Sequence, residues 1–527
     1  MLGGGPAGCA AATLLAQRGH EVALVRPTSP AAAALAQSIP PSARKLLYEL
    51  DALEAVERAG FLANEGNTVW WAGRGARTEA FPGGGAGVHV DREGLEHVLV
   101  GAAGRVGVRV YDGAVARRAE RDGQLWSVAC DRAEETALRL RAPWLIDATG
   151  RHGILARRAR APDRATATLA LVRRWRRPGG WGGEVATHTL VESYDDGWAW
   201  SVPLAGDVRC FTAMIEASAA GGGSDPDGML QAELSKTGHL GPMVRDAEPV
   251  GEAWACPASL YHATTYASDG LLLAGDAGSF IDPLSSYGVK KALSSGWLAG
   301  VVAHTALADP AMAALALEFF DDREREVYRS YRAVSASYFE EAFAAYGHDY
   351  WRSRAAAARA AGAGSASGAG VSGAGAADAG VSGAGAAGAM PEAGWPRPRV
   401  GEPEDRDPDA LFPPEPSEQE VRAAFEIIRD RPMLHADPGD SLRSVERPAV
   451  EGHRIVLATC LASDRYPAGL RFVRGVDLRR VVAQAPAHSE VPDLWTAYNA
   501  SAAPVTLPDF LVALSTAFAA GLLVHRE

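Results

Sequence analysis

A chain of 527 residues with a net charge of −12 at neutral pH can hold two or three domains with full hydrophobic cores, and it is too acidic to be a general nucleic-acid binder. Its five cysteines, at 9, 130, 210, 256 and 460, are scattered and form no CxxC pair, which argues against a disulfide scaffold and against a metal site of zinc spacing. No apolar run is long enough to span a bilayer, and MLGGGPAG lacks a basic region and a cleavage site, so the sequence reads as soluble, cytoplasmic and bacterial, without a membrane partner.

The first motif is the GxGxxG loop Gly3-Gly4-Gly5-Pro6-Ala7-Gly8, followed by the helical run CAAATLLAQRG. Gly3 and Gly5 permit a tight turn and close approach of a pyrophosphate, and Gly8 lets the helix pack on a sheet. Pro6 and Ala7 complete the candidate cradle at the positive end of the helix dipole. Only Met1 and Leu2 precede the loop, where a central strand of about five or six residues should stand. The expectation is therefore that the native protein begins upstream and that the chain as given is poorly stable. The next strand, VALVR, ends in Arg26, where a ribose-binding Glu or Asp is usual.

Further along, EVALV (21–25), VGVRVY (106–111), APWLIDATG (142–150) and GLLLAGDAG (270–278) read as buried strands of an α/β sheet, and residues 312–360 are helical in composition. Residues 361–415 form a Gly/Ala/Ser-rich and then Pro/Glu-rich tract, containing AGVSGAGAADAGVSGAGAAGA, with too few large apolar groups for a core; it reads as a flexible linker. Beyond it, in residues 416–527, VDLRRVVAQA, VPDLWTAYNA and LPDFLVALSTAFAAGLLV read as three short helices running into a strand, a small helical or winged-helix-like module for docking, access or presentation of a substrate.

Gly270–Val289, GLLLAGDAGSFIDPLSSYGV, resembles the second FAD motif of glutathione-reductase-like flavoproteins. The resemblance implies Gly275 and Asp276 at a strand end with Asp276 on the ribitol, and Pro283, Ser285, Ser286, Gly288 and Val289 beside the ring. A helix N-terminus there would stabilise an anionic reduced flavin. Val90-Asp91-Arg92, before the helical EGLEHVLVGAA, is similar to the family segment whose Arg reaches the phosphate side. Asp147-Ala148-Thr149-Gly150 looks like the turn passing the adenosine end. Phe280 to Gly288, Trp198-Ala-Trp200-Ser-Val-Pro203, Gln37-Ser38-Ile39-Pro40-Pro41 and Tyr350-Trp351-Arg352 narrow the resemblance to the flavin-dependent halogenases and their monooxygenase relatives. It implies a Rossmann FAD-binding fold with an inserted mixed β-sheet substrate domain, interleaved over residues 1–360. Ser38 falls to the cofactor side; Trp198 and Trp200 are flavin-adjacent candidates or plain core aromatics.

A halogenase of this kind needs a Lys after the Ser38 segment to carry the oxidised halogen, and Phe61–Gly73, FLANEGNTVWWAG, has none. Lys45 stands one helix too early, and Lys290 and Lys291 follow the flavin loop. The form PLSSYGVKKAL is closer to the monooxygenase branch that includes the peptidyl-tryptophan hydroxylase of quinohemoprotein amine dehydrogenase maturation. The expected activity is oxygen transfer from an FAD C4a-hydroperoxide to an electron-rich aromatic, indole-like substrate, free or held on a peptide or carrier. FAD and O2 are implied, with electrons from NAD(P)H or a separate flavin reductase, since DATGRHGILARR has Gly153 where the NADPH-associated motif expects Ser. A halogenase, a geranylgeranyl-reductase-like oxidoreductase and a non-enzymatic flavoprotein stand as alternatives.

Overall fold

The structure, a computed structural model, describes residues 1–28, 35–81, 85–132, 135–163, 166–220, 225–363, 416, 418–431 and 433–525; residues 364–415 of the 361–415 tract lie outside them. Two compact units are present: Met1–Trp297 with Glu324–Arg397, and Leu298–Arg323 with Pro398–Glu527.

The first unit is built on a parallel sheet. Strand Ala23–Arg26 pairs with Arg109–Asp112, and Leu145–Asp147 pairs with Leu271–Leu273. Leu2 lies between the two pairs, bridging in parallel to Val25 and to Asp147. Its N–H donates to Ile146 O at 2.9 Å and its carbonyl accepts from Ala148 N at 2.8 Å, while Gly3 N reaches Val25 O at 2.8 Å. Two residues thus occupy the centre of the sheet, and their backbone groups are paired on both sides. The strands are short, and Leu145–Asp147 is buried throughout, whereas Arg109–Asp112 at the sheet's edge carries exposed charged ends.

Helix Pro6–Gln17 leaves the sheet directly after the glycine loop, starting with Pro6 in its first turn. Its alanines 10, 11 and 12 are fully buried, and such small side chains let it lie close to its neighbours. The first part of helix Gly288–Ala308 packs against it: a Cβ on Gly296 would lie 2.0 Å from Ala7 O.

A second sheet of seven strands runs in the order Glu248–Pro257, Thr168–Arg176, Val208–Glu216, Gly197–Leu204, His188–Tyr194, Gly66–Trp70, Arg77–Ala80. It is mixed, since His188–Tyr194 pairs parallel with Gly66–Trp70 and the other neighbours are antiparallel. Alternation along each strand sends side chains to two different cores. Leu171, Leu190 and Phe211 meet the helices Pro226–Ser235 and Leu240–Arg245 through Leu230, Leu234 and Leu240. On the other face, Val172, Trp198 and Met214 join Leu284 and Tyr287 of the flavin-motif loop, together with Tyr338, Tyr350 and Trp351. A small antiparallel sheet, Ala36–Ile39, Gly87–Asp91 and Leu62–Asn64, completes the unit's inner wall.

In the second unit, helices Leu478–Gln484, Val491–Ser501 and Leu507–Ala519 enclose a core of Val481, Leu494, Tyr498, Phe510 and Leu514. A hairpin of two nine-residue strands, Arg443–Glu451 and Arg454–Ala462, stands beside them; no strand was expected from that stretch of sequence. Ile455 N donates to Thr305 Oγ1 at 2.9 Å, so Leu298–Arg323, expected to serve the catalytic part, belongs to this unit instead. An apolar helical segment reads the same whichever core it supplies.

Replacing Gly296 by Ala should reverse the usual helix preference. An added methyl ordinarily favours a helix by about 1 kcal/mol, but here it would press on a backbone carbonyl, an overpacking that costs about 1–3 kcal/mol. Thermal melting should show Gly296→Ala below the parent; an equal or higher midpoint would contradict the packing described.

Candidate active site

Four turns converge at the ends of the central strands. Gly3 has φ +100, and a Cβ on it would sit 2.3 Å from Ala148 O, so only glycine fits. A Cβ on Gly8 would lie 1.9 Å from Gly3 O. Gly5 caps helix Pro6–Gln17, and no side chain bonds the first-turn N–H groups. They are donors awaiting an anion, which is the chemistry a pyrophosphate needs. Arg92 stands nearby, its Nε 2.9 Å from Glu96 Oε1, and that oxygen is 3.7 Å from a Cβ placed on Gly5. Arg26 packs across Gly4 and pairs with Asp112 at 3.0 Å, so a carboxylate is present at this corner, supplied by the neighbouring strand.

Asp147 is fully buried, and its carboxylate accepts from Thr149 N at 3.0 Å, Thr149 Oγ1 at 2.5 Å and Leu155 N at 2.8 Å. Its side chain shapes the 147–150 turn. Gly150, with φ +64, ends that turn with nothing within 4 Å of its would-be Cβ.

The second motif folds as a buried strand running into a tight turn. Strand Leu271–Leu273 leads into the single turn Gly275–Ala277, where Gly275 has φ +63 and a Cβ on it would touch Ala7 Cβ at 2.8 Å. The Asp276 side chain is 31 % exposed and open to a ligand, while its backbone is held from behind. Tyr261 Oη donates to Asp276 O at 2.6 Å and Arg160 Nη2 donates to the same oxygen at 3.0 Å. Arg160 also reaches Gly150 O at 2.9 Å, and thereby fastens the two turns to each other. Lys291 completes the clamp. Its side chain is 1 % exposed, and Nζ donates to Gly275 O at 2.8 Å and Ser279 O at 2.5 Å, with Asp276 Oδ1 at 3.9 Å. Burial lowers its pKa, and the Asp276 charge opposes that shift.

Next comes the flavin loop. Asp282 Oδ1 caps Leu284 N at 2.9 Å, and burial raises its pKa. After Pro283, Ser285 Oγ donates to Asp282 O at 2.9 Å, and Ser286 takes φ +52, a left-handed backbone uncommon for serine that is typical of functional turns. Gly288 and Val289 then open helix Gly288–Ala308, with nothing within 4 Å of a Cβ on Gly288.

Ser38 and the tryptophans take roles set by packing. Ser38 Oγ lies 3.0 Å from His89 Nδ1 and 2.6 Å from Thr189 Oγ1, so its hydroxyl joins a buried network. His89 Nε2 lies 2.8 Å from Thr187 O and carries the proton. Trp198 is 2 % exposed and is a core residue; Trp200, stacked on it at 5.1 Å, is half-buried and the more available of the two. In Phe61–Gly73, Asn64 is 1 % exposed with Oδ1 accepting from Gly66 N at 3.3 Å. Lys290 is buried with Nζ on Ser42 Oγ at 2.8 Å. Arg160, Tyr261 and Lys291 had no role assigned from the sequence. Only the charged pair at the start of an apolar helix, Lys290-Lys291, could have signalled one.

A βαβ cradle with glycine-only approach, an uncapped helix start and a partly exposed Asp at a second strand end define a dinucleotide-binding flavoprotein. Residues 1–300 match the family described as FAD binding domain, and the chain belongs to that family of FAD-dependent enzymes. Tryptophan 2-halogenase of Chondromyces crocatus is 28% identical over 373 residues, 64% of this chain and 67% of that protein. Flavin-dependent halogenase armH1 of Armillaria mellea is 28% identical over 329 residues, 56% of this chain and 62% of its own length. Among solved structures, the flavin-dependent halogenase CmlS has a TM-score of 0.72 at 18% identity, over 99% of this chain and 94% of that one. The peptidyl tryptophan dihydroxylase QhpG has a TM-score of 0.62 at 20% identity, over 99% and 98%. No helix among the described residues is long and apolar enough to cross a membrane.

Two measurements probe this site. Lys291→Met should weaken FAD binding by roughly tenfold, the loss of one charge-assisted clamp, read by fluorescence titration of the flavin-stripped protein; unchanged affinity would remove Lys291 from the site. Burial depresses the His89 imidazole from 6.5 to about 3. The unfolded chain takes up a proton below pH 6.5 that the folded chain refuses, so this stability is complete above 6.5 and lost as pH falls toward 3. At about 1.4 kcal/mol per pH unit, His89→Gln should flatten the acid side of the melting-temperature profile relative to the parent; parallel profiles would refute it.

Proposed function

We propose that this chain is a flavin-dependent monooxygenase that oxygenates an electron-rich aromatic substrate, indole-like, either a small molecule or one presented on a peptide or carrier. The carrying observation is Phe61–Gly73, which has no Lys and places a buried Asn64 where that segment turns into the substrate sheet. The nearby buried lysines are otherwise engaged: Lys291 by Gly275 O and Ser279 O, Lys290 by Ser42. FAD, when bound, supplies the reduced ring that reacts with dioxygen.

The chain's own residues bind and orient. In this reading the Gly3–Gly8 loop and Arg92 take the pyrophosphate, Asp276 takes a ribitol hydroxyl, and the start of helix Gly288–Ala308 turns its positive end to the ring's pyrimidine edge. The aromatic face built from Trp198, Trp71, Trp351 and Tyr338, with ring centroids 5.5–6.3 Å from Trp71, excludes water behind the loop, and Trp200 offers a stacking surface. Electrons come from a separate flavin reductase. This is supported by Gly153, where a Cβ would lie 2.3 Å from Arg160 Nη2: the position of the expected Ser is filled by the clamp. The C-terminal unit serves access or presentation of the substrate.

Halogenation is the second reading, favoured by the names of the curated relatives. Reduced enzyme, oxygen and candidate indoles with and without chloride or bromide should give a product heavier by one oxygen and independent of halide, by mass spectrometry. Halide-dependent halogenated product would overturn the monooxygenase reading. Asp276→Ala should abolish turnover and lose the bound flavin absorbance while the protein stays folded; retained flavin would remove Asp276 from the ribitol.

A further inference from the structure

The first unit contains a second cavity, of about 700 Å³, bounded by helices Leu53–Arg58 and Arg92–Arg105 and by the turn after strand Gly197–Leu204. It is separate from the dinucleotide cradle. Helix Arg92–Arg105 packs on Pro6–Gln17 with Leu99 and Ala103 buried, and Arg92 and Glu96 lie on that same stripe. Gly94, Val98 and Arg105, which line the cavity, fall on the opposite stripe of the 3.6-residue repeat.

The lining has two parts. Phe61, Leu62, Val98, Leu204 and Val208 supply an apolar wall, and Arg58, Arg105 and Arg174 supply cations from three different elements. The carboxylate lining it, Asp91, has its Oδ1 committed to Gly94 N at 2.8 Å as the helix cap. Arg58 pairs at the surface with Glu54 at 3.2 Å, and Arg105 gives one N–H to Asp51 O at 3.1 Å. Three guanidinium groups thus stand against one carboxylate in the lining, in a chain whose net charge is −12. Its volume lies within the roughly 300–1,000 Å³ of small-molecule sites, and guanidinium groups suit carboxylate or phosphate heads.

We infer that this cavity binds an amphiphilic organic anion, a carboxylate or phosphate head on an apolar body, independently of the flavin. The inference does not rest on which reaction the enzyme performs.

Isothermal titration of the flavin-loaded full chain with decanoate, and with decyltrimethylammonium as the same tail bearing opposite charge, tests it. Decanoate should bind one to one and the cation should not. Arg58→Ala, at an exposed rim position, should weaken decanoate by roughly tenfold. Ala59→Trp, which fills the mouth, should abolish binding, and both variants should keep the parent's flavin absorbance. Equal binding of the cation, decanoate affinity unchanged in both variants, or binding seen only after flavin is stripped would each overturn the proposal.

Discussion

The architecture of the flavin site depends on a contact that contains no side chains beyond a methyl. Around Ala7, the glycine loop, the 147–150 turn, the Gly275 turn and the helix carrying Gly296 come so close that a Cβ on Gly3, Gly8, Gly275 or Gly296 would stand 1.9–2.8 Å from a neighbouring atom. Protein interiors give little under such overlap. These glycines therefore set the spacing of two helix starts and two strand ends, and with it the space left for a dinucleotide.

Such close approach leaves backbone carbonyls crowded, and the structure answers with side-chain donors, of which Lys291 is buried and Arg160 and Tyr261 partly so. Arg160, Tyr261 and Lys291 direct their hydrogen bonds to the carbonyls of Gly150, Gly275, Asp276 and Ser279. A buried ammonium is costly unless its protons are taken up, and Lys291 meets that condition with two carbonyls and the nearby Asp276 charge. The same clamp leaves the Asp276 carboxylate facing outward. Rigid positioning of the turn and partial exposure of its carboxylate follow from one arrangement.

The seven-stranded sheet is bound to this site through apolar packing. Its inner face reaches Leu284 and Tyr287 of the flavin loop, and helices carrying Tyr338, Tyr350 and Trp351 close the aromatic cluster. Trp71 Nε1 and Trp351 Nε1 find backbone partners at Tyr338 O and Tyr194 O, so the indoles are fixed as well as buried.

Much of this was legible in the residues. Short apolar runs specify strands of an α/β sheet, and the strands Ala23–Arg26, Arg109–Asp112, Leu145–Asp147 and Leu271–Leu273 lie within or at the end of those runs. Spacing within GxGxxG and GDAG is local, so sequence alone determines where a backbone must turn without a Cβ. Tertiary structure decided what depends on distant segments: that Asp147 spends its carboxylate on its own turn, that Ser38 bonds His89 and Thr189, that Trp198 is core while Trp200 is half-open, and that Leu298–Arg323 joins the C-terminal unit. The clamp of Arg160, Tyr261 and Lys291 is of the same kind. Its partners lie 9 to 117 residues away for Arg160 and 12 to 16 for Lys291, and no local pattern of charge or hydropathy encodes which carbonyl such a cation will meet.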